Sequence, residues 1–283
     1  NEIYQEQIAV KIGAGGIHQG IITPEAYQRG MDALAQFHTK ILSYAVETVV
    51  ATGTSAIRNA KNGAQFLQEA KEKFGFEVQQ ISGDQEAELI YLGVSKSFPF
   101  PEQPVLVMDI GGGSVEFIIG VKDQILWKQS FEIGAARLLQ KFAPSNPITP
   151  DEILRIEAYL EEVLKPLKEA LDQTEINAEP VHILVGSAGS FETLLDVLRL
   201  DLLKSYSSET AFAHWVSQED CALFYKYIIG STTREREQML GLLDFRVDMI
   251  VVAVILMRYV HVRFGLNQLC ASNYALKEGL LFL

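Results

Sequence analysis

The stretch Val105-Leu-Val-Met-Asp109-Ile-Gly111-Gly112-Gly113-Ser114-Val-Glu116-Phe-Ile-Ile-Gly120 decides how the chain is read. An apolar strand delivers Asp109 close to its end, three glycines make a tight turn, and a second apolar strand leaves. Glycine permits positive φ and lets a ligand approach the backbone closely. Successive amides in such a turn form a concave anion site, and a carboxylate beside it suits a Mg²⁺ that bridges to a phosphate. The plain alternatives are a hairpin turn or a flexible linker. Two buried strands and the aspartate favour the functional reading.

Three further segments carry the same kind of signal. Gly186-Ser187-Ala188-Gly189-Ser190 lies between a strand expected at 181–185 and a helix expected to begin near Phe191. Small residues at that junction suit phosphate at a helix N-terminus, or else close strand–helix packing. Ala51-Thr52-Gly53-Thr54-Ser55-Ala56-Ile57-Arg58 places hydroxyls and Arg58 at the start of another helix. Arginine forks onto phosphate oxygens, although a solvated arginine beside a helix cap is the commoner case. Ser82-Gly83-Asp84-Gln85-Glu86-Ala87-Glu88 opens a helix with acids, which complement the helix dipole or supply a general base.

The rest of the chain alternates in the same manner. Thr23-Pro24 is a helix start, 47–51 and 76–81 read as strands, and 55–74 as a helix broken near Gly63. Three strands follow at 105–110, 115–121 and 125–131. The capping box Thr149-Pro-Asp-Glu152 opens one long helix to Leu171. Residues 217–229, 245–264 and 273–282 read as helices. The alternation argues α/β architecture. The proline-rich stretch 97–104 is the best linker.

Composition narrows the function classes. Lys and Arg number 24 against 36 Asp and Glu, a net charge of −12, which disfavours non-specific nucleic-acid binding and anionic membranes. A bound polyanion therefore needs a local basic or amide-lined pocket. The apolar run from Met249 to Met257 is too short to span a bilayer. No signal-peptide pattern opens the sequence, and Cys221 and Cys270 have no metal-ligand spacing, so two reduced thiols in a cytoplasmic protein are expected. No GxxxxGK[ST] loop and no GxSxG elbow occurs, and Gly13-Ala-Gly15-Gly16 reads as a plain turn. His18, His38, His182, His214 and His261 show no metal spacing.

In their order along the chain, the four segments resemble the exopolyphosphatase/guanosine pentaphosphate phosphohydrolase family of the actin, sugar-kinase and heat-shock-chaperone ATPase superfamily. Gly134-Ala-Ala-Arg137, Arg246-Val-Asp248 and Lys277-Glu-Gly279 resemble its weaker motifs, and the resemblance covers nearly the whole chain. It implies an α/β fold of two ribonuclease-H-like domains, 1–101 and 102–283, with a cleft between them. It implies Glu86 as general base at the cleft mouth on the first lobe, and Asp109 as the Mg²⁺ ligand. Glu116 would help to order metal or water. Gly111, Gly112, Gly113, Ser114, Gly186, Ser187, Gly189, Ser190 and Arg58 would bind phosphate. Gln85 and Glu88 stand where the family often has Glu and Arg. The family's opening strand, with an Asp-Gly-Ser-Asn-type loop, has no counterpart before Gly13; since the chain starts at Asn1, a truncated or unobserved N-terminus is expected. The implied activity is Mg²⁺-dependent release of terminal orthophosphate from polyphosphate or guanosine pentaphosphate, without nucleic-acid or membrane partners. A homodimer stays an open expectation. A sugar or acetate kinase of the same superfamily and a non-catalytic phosphate or alarmone sensor are the alternatives.

Overall fold

Strands and helices alternate through residues 3–174, 180–203 and 212–283, which the computed structural model describes. Contacts gather them into two units, Asn1–Ser82 and Gly83–Leu283. In the first unit, β1 (Ala51–Gly53) pairs parallel with β2 (Val78–Gln80). Its helices are α1 (Pro24–Ser43), α2 (Ser55–Arg58) and α3 (Gly63–Phe74). Thr23 caps α1 by accepting from the Ala26 amide, with Pro24 in the first turn. A Cβ on Gly63 would lie 2.2 Å from the Ile57 carbonyl oxygen, so the tight turn between α2 and α3 requires glycine. Ile22, Ala26, Met31, Phe66 and Ala70 form the unit's small core. The strand expected at 47–51 shrinks to its last residue, because β2 offers only three register partners; Val50 is left 59% exposed.

The second unit is built on a mixed six-stranded sheet in the order β5-β4-β3-β6-β8-β7. Its strands are β3 (Val105–Ile110), β4 (Val115–Val121), β5 (Gln124–Phe131), β6 (Ile183–Ser187), β7 (Ala213–Val216) and β8 (Gln268–Ser272). β3, β4 and β5 form an antiparallel meander, β6 and β8 run parallel to β3, and β7 closes one edge antiparallel. This is the ribonuclease-H-like arrangement that the resemblance implies. The helices are α4 (Gly83–Ser95), α5 (Ala135–Phe142), α6 (Pro150–Val163), α7 (Lys165–Gln173), α8 (Gly189–Val197), α9 (Gln218–Ile229), α10 (Thr233–Arg236), α11 (Met249–Arg263) and α12 (Leu276–Leu281).

Period-two alternation assigns the two faces of the sheet. Val105, Val107, Ile118 and Val185 cluster with Ala87, Ile90, Tyr91 and Val94 of α4. Leu106, Met108, Phe117 and Leu184 cluster instead with Leu138 of α5, Leu160 of α6, Phe191 of α8 and Leu256 of α11. Each fully buried Leu, Ile or Phe contributes about 1.5–3 kcal/mol. The run from Met249 to Met257 is thus a core helix, and among the described residues no helix is long and apolar enough to cross a membrane.

Three sequence expectations are adjusted. The two units part between Ser82 and Gly83, ahead of the proline-rich stretch 97–104, because α4 buries its apolar face on the sheet of the second unit. The single helix expected from Pro150 to Leu171 is two, broken at Leu164, because Pro166 has no N–H to continue the ladder. The helix expected from Phe245 starts at Met249, after a short 3₁₀ turn over Asp244–Arg246.

Candidate active site

A row of polar side chains crosses four strands of the second unit. Ser130 of β5 is the register partner of Glu116 on β4, Glu116 of Asp109 on β3, and Asp109 of Ser187 on β6. Register partners share a face, and this row lies on the face covered by α4. Ser187 Oγ donates to Asp109 Oδ2 at 2.6 Å, and Ser130 Oγ donates to Glu116 Oε1 at 2.6 Å. Glu86, in the first turn of α4, joins them from above the sheet: its charge acts on both Asp109 and Glu116. Glu86 and Asp109 are each 6% exposed and Glu116 1%, so three carboxylates are withdrawn from water together.

That burial raises the cost of ionisation. Asp109 is pushed up to about 7, first by desolvation and then by the charges of Glu86 and Glu192, with the Ser187 hydroxyl acting in the opposite sense. Glu116 is also raised, by desolvation and by the charges of Glu86 and Asp109. A buried anionic group of this kind is relieved by a bound cation. Among the described residues no three His, Cys, Asp or Glu are placed to hold a metal ion together. Carboxylate oxygens such as those of Asp109 and Glu116 are the donor type that Mg²⁺ takes, one or two at a time, beside water and phosphate.

The turn after β3 presents amides to the same face. Ala135 N donates to Gly111 O at 2.9 Å, Ala136 N to Gly112 O at 2.9 Å, and Gly134 N to Gly113 O at 3.2 Å. In a planar trans peptide the N–H points opposite to the C=O. The amides of Gly112, Gly113 and Ser114 are thereby turned away from α5, which packs on the opposite face, and towards Asp109 and Glu116. None of the three has a backbone acceptor among the described residues, whereas the Gly111 amide is spent on Ser114 O at 3.1 Å. Gly111 and Gly112 do not use the positive φ expected of them. Glycine is required instead by a close backbone approach: a Cβ on Gly134 would lie 2.5 Å from the backbone of Gly112 and Gly113.

The second loop leaves the neighbouring strand end. β3 and β6 are parallel and Asp109 is bonded to Ser187, so the two loops emerge side by side from one edge of the sheet. Gly186 itself serves packing, since a Cβ there would meet the Phe191 ring at 2.1 Å. Ala188 holds φ 66° and ψ −177°, a region nearly confined to glycine. Arg246 lies across the start of α8, with Nη1 donating to Gly189 O at 2.6 Å and to Thr193 Oγ1 at 3.1 Å, and Nη2 paired with Glu192 Oε2 at 3.3 Å. The sequence held Arg246 only as part of a weaker motif; nothing local shows that a residue far along the chain reaches this loop.

One candidate sits differently from expectation. Glu86 belongs to the second unit, not to the first, because it rides on α4. Arg58 belongs to the first unit, as expected, where Nη1 donates to Ile81 O at 3.1 Å. Glu88 points elsewhere, to Lys128 Nζ at 2.6 Å.

A model of the Ppx/GppA phosphatase family matches residues 1–283. A solved exopolyphosphatase from Cytophaga hutchinsonii is 39% identical, with a TM-score of 0.91 over 96% of this chain and 86% of that one. The PPX-GPPA enzyme of Aquifex aeolicus is 26% identical, with a TM-score of 0.75 over 96% of this chain and 87% of that one. A Haemophilus influenzae protein provisionally named an exopolyphosphatase is 27% identical over 273 residues, 96% of this chain and 80% of its own length. The chain belongs to the Ppx/GppA phosphatase family.

Proposed function

We propose that this phosphoanhydride hydrolase releases terminal orthophosphate from inorganic polyphosphate, with water as nucleophile and Mg²⁺ as cofactor. One observation supports the reading: three buried carboxylates and three amides without a backbone acceptor lie together at one end of the sheet. Amides of Gly112, Gly113 and Ser114 hold the oxygens of the terminal phosphate, and the serines and amides of the second loop take the adjoining phosphate. Asp109, fixed by Ser187, holds the cation, which supplies charge neutralisation for the phosphate when bound. Glu116, fixed by Ser130, orders water beside it. Glu86 accepts the proton of the attacking water. Catalysis is then positioning plus electrostatic stabilisation, as phosphoryl transfer requires.

The terminal phosphate of guanosine pentaphosphate presents the same reacting group. Phosphate release from polyphosphate, guanosine pentaphosphate and ATP, with and without Mg²⁺, separates the substrates; binding without release identifies a sensor. Glu86→Gln removes the basic oxygen and keeps the size. It is expected to slow release at least about tenfold, roughly 1.4 kcal/mol of transition-state stabilisation. Glu88→Gln stays near wild type, because Glu88 is engaged with Lys128. Equal rates for both variants would refute Glu86 as the base.

A further inference from the structure

The Ser114 amide is the last of the three in the β3 turn and belongs to a buried residue, and the carbonyl that sets its direction is the least firmly held by backbone. Among the described residues, Gly113 O receives one backbone donation, from Gly134 N at 3.2 Å. A second donor comes from a side chain: Arg137 Nε reaches Gly113 O at 3.1 Å. The Arg137 backbone amide adds a 3.2 Å bond to Gly112 O, beside the Ala136 bond to the same oxygen. One residue thus touches both carbonyls whose peptide planes carry the Gly113 and Ser114 amides. The far side of its guanidinium is paired with Glu132 Oε2, and the side chain is 15% exposed. Its charge is answered by Glu132, and its Nε bond to Gly113 O lies on the α5 side of the turn.

We propose that Arg137 is a positioning residue for the phosphate-binding turn. It sets the direction of the Gly113 and Ser114 amides through the carbonyls behind them, and does not itself touch phosphate. This rests on reading the turn as a phosphate site. Its mechanism is geometric: a guanidinium can donate through Nε to Gly113 O while its outer nitrogens engage Glu132, and a lysine ammonium cannot hold both ends in one plane. Loss of the fork should therefore matter more than loss of the charge.

The test uses the full chain with inorganic phosphate and Mg²⁺, followed by amide NMR. In the wild type, the amides of Gly112, Gly113 and Ser114 should exchange rapidly with solvent when free and shift on titration. Arg137→Met and Arg137→Lys should weaken phosphate at least about tenfold, to the same extent, and should move the Gly113 and Ser114 resonances before any phosphate is added. A merely structural arginine would lower the melting temperature and leave phosphate affinity at 20 °C unchanged. Wild-type affinity in Arg137→Lys overturns the proposal, and so does a wild-type turn whose amides ignore phosphate. If Arg137→Met does not fold, the lysine variant and the wild-type titration decide. A wild type whose amides respond but which releases no phosphate from polyphosphate overturns the proposed function and leaves this inference standing.

Discussion

The two loops at the edge of the large sheet reach the same space by different means. Residues 111–113 spend their carbonyls on the backbone of the α5 start, with one further bond from Arg137 Nε, so their amides are oriented chiefly by main chain against main chain. Residues 186–190 are held by a strained Ala188 and by the Arg246 side chain across Gly189. The glycines of the first loop are not there for left-handed backbone; the one left-handed residue described in these two loops is an alanine. Close approach in the first loop is made possible by Gly134, and strain in the second is carried where no glycine advertises it.

The contrast is broken or sharpened most strongly by Gly134→Ala. The added Cβ meets backbone at 2.5 Å and no rotamer relieves it. We expect a stability loss of about 2–3 kcal/mol in urea unfolding. A displacement of about 1 Å in the turn should also cost on the order of a hundredfold in phosphate release. Near-wild-type activity would mean that main-chain clamping does not set the amides.

Next in size is Asp109→Asn, at the bond that joins the two loops. The folded carboxyl titrates near 7 against 3.8 for its ordinary value, so between these the folded state holds more protons than the unfolded one. Stability without metal should fall as pH rises from about 4 to 7, with no such loss below 4. Asn cannot ionise, and the variant should be more stable than wild type at pH 7 by on the order of 1–2 kcal/mol, while losing hydrolysis. Parallel pH profiles of melting temperature for the two proteins would count against a buried carboxylate cluster.

Gly189→Ala should cost less than Gly134→Ala. Its Cβ would overlap the Arg246 guanidinium at 1.9 Å, but that is the far end of a side chain that can swing aside. A loss of about 1 kcal/mol is expected, with a modest fall in activity. Smallest is Ala188→Gly, which relieves about 1–3 kcal/mol of backbone strain and returns part of it as unfolded-state entropy. A net gain of about 0.5–1 kcal/mol in thermal unfolding is expected. A destabilised glycine variant would show that Ala188 is not strained.

Much of this was legible in the sequence. The alternation of 105–110 and 115–121 marks a pair of buried strands, and the spacing of Asp109 and Glu116 across the turn makes them register partners. Thr23-Pro24 and Thr149 to Glu152 form the caps that their spacing predicts. These features are local: period, cap and turn are set within a few residues by backbone geometry. The order of the segments is enough to indicate the Ppx/GppA phosphatase family, and the family model bears that out.

What the tertiary structure decided is who meets whom across long separations. Helix α4 precedes the proline-rich stretch yet packs in the second unit, which carries Glu86 to Asp109. Arg246 reaches a loop 57 residues earlier, and Gly134 closes on Gly112 and Gly113 rather than merely turning the chain. Burial turns Asp109 and Glu116, beside the charge of Glu86, into carboxylates that resist ionisation. None of these follows from spacing, because desolvation and close approach depend on packing between distant elements, whereas sequence patterns report only each segment's own period and caps.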